Sequence, residues 1–253
     1  GGLMRSTKHI HDEVICLLLL LGIAQLEAAR ILFINTWHSK SHAKTMMGLA
    51  ERFVQRGHDV TMYTPAFSEL GPMGNGVKTL YSVVSTEVVD YDMQRLGEFF
   101  WSREMSPLLY TWPSSISRDF LVHSTNSSAL NEVLSTPYNL VFLDELFTPF
   151  QAAVALALRA RHASRLSIFS TTIMYDVMAR EHGFARMPTL AENIYIRGDR
   201  PSFDPLSFFD RLKNVVDALL EMPTFLAADF ICYQPAGEVL GLPHVTMHSF
   251  YQE

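Results

Sequence analysis

Short apolar runs alternate with longer amphipathic stretches along this chain. Residues 30–35 (RILFIN) are apolar and bounded by polar positions, the pattern of a strand buried on both faces. A polar loop follows over 36–41. Met46, Met47, Leu49, Ala50, Phe53 and Val54 then recur at helical spacing, and Gly57 is placed to end that helix. Residues 58–63 and 77–84 predict the second and third strands. Residues 92–134 read as mostly helical, with breaks expected at Pro107 and Pro113. A fourth strand is predicted over 138–143, an Ala/Leu-rich helix over 150–161 and a fifth strand over 165–170. Residues 187–205 read as a long loop. Phe208, Phe209, Leu212, Val215, Val216, Leu219 and Leu220 mark a further amphipathic helix. Its apolar face is expected to pack on the core rather than to meet a membrane, because few Lys or Arg residues flank it. A last strand is expected over 240–247. Alternation of this kind predicts an α/β doubly wound, Rossmann-like parallel sheet, with 31–35 and 140–143 central and adjacent.

The amino end carries a different pattern. Residues 14–24 (VICLLLLLGIA) form an apolar run, Arg5 and Lys8 precede it, and the small residues Ala28 and Ala29 follow. The run is short of the roughly 20 residues that span a bilayer. The order of features predicts a signal peptide over 1–28, cleaved near Glu27-Ala28-Ala29, ahead of one domain over 29–253. The expected address is the secretory pathway, in the lumen of the endoplasmic reticulum. Asn126-Ser127-Ser128 is the one glycosylation sequon, and it has meaning only in that lumen.

Composition narrows the function classes. Hydrophobic residues make up 48% and charged residues 18% of 253, enough to bury a core and too apolar for a disordered chain. The formal net charge of −6 leaves no basic face for nucleic acid. Cys16 and Cys232 are the only cysteines, which excludes a disulfide scaffold and a thiolate zinc site. No GxGxxG follows the first strand, and GxxxxGK[ST], HExxH and GxSxG are absent. His244 and His248 are four apart but have no third ligand in view, so no metal is expected. Asp90 with Asp92, and Asp144 with Glu145, are acidic pairs whose members are not expected to form a dyad, since strand neighbours point to opposite faces.

Two residues stand out by position. His42 lies where the first strand hands over to its helix, and Asp144 lies at the carboxyl end of the fourth strand. Ligands of open parallel sheets bind outside those carboxyl ends. The positive end of a helix disfavours a protonated ring, and a neutral imidazole is what a general base requires. A carboxylate on the other ring nitrogen would orient it. On position alone, a solvated helix-start histidine and an exposed strand-end aspartate remain the commoner reading, and His38 competes with His42.

Residues 29–65 (ARILFINTWHSKSHAKTMMGLAERFVQRGHDVTMYTP) resemble the opening of metazoan UDP-glycosyltransferases, the UDP-glucuronosyltransferase family: a strand, a Ser-His pair opening a helix, and a Gly-His-(Asp/Glu)-Val-Thr strand. YNLVFLDELF at 138–147 resembles the family's strand with its catalytic aspartate. SIFSTTIMY at 167–175 and RPSFDPLSFFDRLKN at 200–214 resemble later segments, in the family's order and an invertebrate-like style. The resemblance implies the amino-terminal, acceptor-binding domain of a GT-B glycosyltransferase. It assigns the catalytic base to His42, chosen over His38 because a serine directly precedes it, and the base's partner to Asp144. It places Ser41 and Thr171 on loops facing the cleft and Phe147 at an acceptor pocket. A serine before a helix is also often an N-cap, and a phenylalanine often core.

The implied reaction is an inverting transfer of a hexosyl group from a UDP-sugar, glucose or glucuronic acid, to a small lipophilic acceptor. Such chemistry serves detoxification. UDP-sugar is a co-substrate, and no other cofactor is implied. Contact with a membrane surface and a homo-oligomer stay open. The family's second, UDP-sugar-binding domain and membrane anchor have no counterpart in these 253 residues, and the chain begins Gly-Gly-Leu, so the expectation is a fragment or truncated product. The alternative is a catalytically silent acceptor-binding or regulatory module.

Overall fold

The computed structural model describes residues 28–89, 111–146, 148–170 and 204–252. The signal-peptide reading, Cys16, Asp90, Asp92, Pro107, Phe147, Thr171 and the loop over 187–203 lie outside them.

Among the described residues, five parallel strands make one sheet in the order β3-β2-β1-β4-β5. They are β1 Arg30–Ile34, β2 Asp59–Ala66, β3 Lys78–Val83, β4 Leu140–Asp144 and β5 Arg165–Phe169. β1 is central, with Ile31 to Ile34 paired to Val60 to Tyr63 on one side and to Leu140 to Leu143 on the other. Central strands of a parallel sheet are covered on both faces, which is why β1 is an unbroken apolar run. Ile31 and Phe33 face one layer with Val60, Met62, Ala43, Met46 and Ala50. Leu32 and Ile34 face the other with Tyr63, Val141, Leu143, Phe120, Val133, Phe150 and Val154.

Helix α1, Lys40–Gln55, covers the first layer, and Gly57 at φ 85 turns the chain into β2 as expected of a helix-ending glycine. Helices α2 (Thr111–Ser124), α3 (Ser128–Ser135) and α4 (Pro149–His162) cover the second. Helices on both faces make the sheet doubly wound. Pro113, expected to break a helix, lies within the described span of α2 and is buried there. The interruption falls instead at 125–127, where the sequon residue Asn126 is exposed in the turn between α2 and α3.

The carboxyl part departs from expectation in two places. Helix α5 runs over Phe208–Ala228, past Pro223, and passes into a π-helical turn at Asp229–Tyr233. Its apolar face was expected on the core, but Phe208, Phe209, Leu212, Val216, Leu219 and Leu226 are exposed. The strand expected over 240–247 is a loop between the short helices α6, Gln234–Val239, and α7, Met247–Gln252. Gly241 at φ 72 and His244 at φ 50 break the extended backbone, and Pro243 has no N–H for a ladder. Val245 and Met247 are nevertheless buried, which is what their apolar pattern recorded. Cys232 is a buried free thiol pushed up to about 12 by that burial. No helix of the described residues is long and apolar enough to cross a membrane.

Candidate active site

The site grows from adjacent strand ends. β1 ends at Ile34 and β4 at Asp144, and their pairing of Ile34 with Leu143 sets Asp144 beside the loop that leaves β1. That loop runs to Ser39, the N-cap of α1, whose Oγ accepts the His42 N–H at 3.4 Å. Capping fixes the first helical turn and places His42 on it. The imidazole then reaches back over the rim, with Nδ1 2.7 Å from Asp144 Oδ2. The His42 side chain keeps 13% of its surface open, and Asp144 is fully buried.

A carboxylate only accepts, so Nδ1 donates the hydrogen of this bond, and in the neutral ring that tautomer puts the lone pair on Nε2. Asp144 also accepts from Thr36 N–H at 3.4 Å and Leu146 N–H at 3.3 Å. Hydrogen bonds to a charged group contribute roughly 1.5–3 kcal/mol each, which is how a carboxylate is kept out of water. The turn after β4 is held by the Leu146 carbonyl, which accepts from Thr36 Oγ and Gln151 Nε2, both at 3.0 Å. Gln151 lies on α4, so the aspartate's loop is tied to β1 on one side and to a helix on the other.

The remaining candidates separate. Ser41 is exposed, and its hydroxyl meets that of Ser39 at 3.3 Å rather than the His42–Asp144 pair. The helix cap is Ser39, not Ser41. His38 Nδ1 accepts from Phe67 N–H at 3.3 Å, its ring sits edge-on to Phe67, and burial lowers its pKa. His38 thus closes the loop onto the end of β2, and its ring is bound away from Asp144. Glu145 is buried beside Asp144 but bonds elsewhere, accepting from Ser170 Oγ at 3.3 Å. Trp37, Phe67 and Phe120 stack in a cluster at this same end of the sheet.

Sequence reasoning missed Ser39, Thr36, Gln151 and the amide of Asn35. Ser39 was discoverable, since a serine three residues before His42 is a capping signal. Thr36 and Gln151 meet only through a backbone carbonyl more than a hundred positions from Thr36, and no local spacing records that.

Over 211 residues the chain is 25% identical to the Caenorhabditis elegans protein "Putative UDP-glucuronosyltransferase ugt-50", a match covering 79% of this chain and 38% of that protein. The chain is similar in sequence to a UDP-glucuronosyltransferase. It spans well under half the length of that relative. No protein-family model matches it. Solved structures similar to it include "Crystal Structure of CalG4, the Calicheamicin Glycosyltransferase", at TM-score 0.40 and 17% identity over 67% of this chain and 41% of that one. Another is "Crystal structure of LpCGTa in complex with UDP", at TM-score 0.35 and 18% identity over 86% of this chain and 52% of that one.

Proposed function

We propose that this chain forms the acceptor side of a UDP-sugar-dependent hexosyltransferase, with His42 as general base and Asp144 as the residue that orients it. The observation that carries the reading is the 2.7 Å bond between His42 Nδ1 and a fully buried carboxylate, which orients the ring and suits Asp144 to stabilise its protonated form. The similarity to a UDP-glucuronosyltransferase supplies the donor class. In the proposed step, Nε2 removes the acceptor's hydroxyl proton as its oxygen bonds to the anomeric carbon of the sugar. The bond from that carbon to the diphosphate breaks on the opposite side, and UDP leaves with the electron pair. Asp144 stabilises the imidazolium that results. We place the protein in the lumen of the endoplasmic reticulum, on the apolar run at 14–24 and the exposed sequon asparagine.

The test is UDP release from UDP-glucose and UDP-glucuronic acid, in the presence of a hydrophobic phenol, by this chain joined to a UDP-sugar-binding domain. His42→Ala is expected to lower the rate by about 10²–10⁴-fold, the usual contribution of a positioned base. A rate abolished by His38→Ala and retained in His42→Ala would overturn the assignment. Phenol binding without UDP release in that joined protein would favour the silent acceptor-binding module instead.

A further inference from the structure

We infer that Asn35 is a positioning residue: its side-chain amide sets the start of α1 from which His42 reaches Asp144. The inference rests on the reading of His42 given above. Asn35 follows β1 directly, and its backbone N–H continues the strand ladder to the Tyr63 carbonyl at 2.9 Å. Its side chain is fully buried. The Nδ2 hydrogen is donated to the Ser39 carbonyl at 2.7 Å. A carbonyl only accepts, so the amide orientation follows from its partner.

Ser39 is the residue through which the loop controls the helix. Its hydroxyl accepts from the His42 N–H at 3.4 Å, and its carbonyl accepts from the Ala43 N–H at 3.3 Å. Asn35 therefore grips, from the fixed end of β1, the residue that caps the first turn. Between the two lies His38 at φ 47, a left-handed conformation that an L-residue adopts against steric resistance. Such a residue persists only where the surroundings over-determine it. The Asn35–Ser39 bond closes the turn that contains it.

The other end of the amide carries the second observation. Among the described residues Asn35 Oδ1 is buried with no hydrogen-bond partner. The contact of this side-chain amide is therefore the Nδ2 donation to Ser39, aimed at the start of α1. Without that donor the Ser39 carbonyl is free to rotate, the first turn loosens, and the imidazole loses its fixed approach to Asp144.

The experiment is long-range ¹H–¹⁵N NMR on the whole chain labelled with ¹⁵N-histidine, the His42 signals being assigned by their loss in His42→Gln. The unaltered chain should show the His42 proton on Nδ1. Asn35→Ala and Asn35→Leu, the second keeping the buried volume, should move His42 toward the averaged tautomers of a free imidazole while thermal unfolding stays cooperative. A His42 that keeps its Nδ1 proton in either folded variant would overturn the inference. So would loss of cooperative unfolding in both variants, which would make Asn35 a residue of the whole fold. An unaltered chain with the proton on Nε2 would instead overturn the underlying reading of His42 and Asp144, a separate and distinguishable result.

Discussion

Asp144 and Phe209 occupy opposite extremes: the carboxylate is fully buried and the phenyl ring is 77% exposed. Side-chain polarity alone would place them the other way round. At the rim of β1 and β4, three N–H groups surround the aspartate, from the His42 ring and the backbones of Thr36 and Leu146. Burial there is possible because these N–H groups stand in for water as donors to the carboxylate. Along α5, Phe208, Phe209, Leu212, Val216 and Leu219 keep helical spacing but are open to solvent. The contrast with α4 is as sharp. That helix buries Phe150, Ala152, Ala153, Val154, Ala155, Ala157 and Leu158 between the sheet and the carboxyl-terminal helices. Its small alanines allow close approach to β4, whereas the bulky stripe of α5 faces outward. Amphipathic spacing tells where apolar groups gather on a helix, and only packing tells whether that face is covered.

The largest expected effect is at the rim. On the proposed reading, Asp144→Asn in this chain joined to a UDP-sugar-binding domain should slow hexosyl transfer by roughly 10²–10⁴-fold, because an amide neither fixes the imidazole tautomer nor stabilises the imidazolium. UDP release measures it, and a loss of under about threefold would remove the orienting role.

Next in size is the covered helix. Phe150→Ala should lower unfolding free energy by about 3–5 kcal/mol in a denaturant titration, the range for a buried aromatic truncation. A loss below about 1 kcal/mol would erase the distinction from α5.

A smaller effect concerns the histidine that was not chosen. Burial lowers the His38 pKa from its ordinary 6.5, so the unfolded chain binds its proton more readily than the folded one. Its influence on stability is absent above the unfolded value and grows as a loss when pH falls below about 6.5. His38→Asn, which tolerates left-handed backbone, should therefore show less acid destabilisation between pH 6.5 and 5 than the unaltered chain. Equal acid sensitivity in thermal melts would contradict the burial of that ring.

The smallest effect is expected at the exposed face. Phe209→Ser should leave stability within about 0.5 kcal/mol, as for surface positions, while reducing partition of the chain onto neutral phospholipid vesicles. A stability loss above about 1.5 kcal/mol would show that the face is covered after all. Unchanged partition would remove membrane contact as its use.

Much of the layered fold was legible because local pattern and tertiary fate agree in it. The run at 31–34 is apolar at every position because β1 is covered on both faces, and Gly57 marks the end of α1 because the turn there takes a left-handed backbone, which glycine adopts without strain. His42 and Asp144 were legible as candidates from the hand-over points of strand to helix. The loop at 240–247 misled because burial of Val245 and Met247 resembles a strand, while the left-handed His244 has no sequence signature. What the chain's order of residues determined by itself is the set of strands and helices, since hydrophobic period and turn chemistry act over a few neighbours. Their assembly decided the rest: that Asp144 rather than Phe67 receives His42, that His38 is turned to β2, and that α5 stays open. Those outcomes depend on groups tens to more than a hundred positions apart meeting in space, and partners of that kind leave no trace in local periodicity.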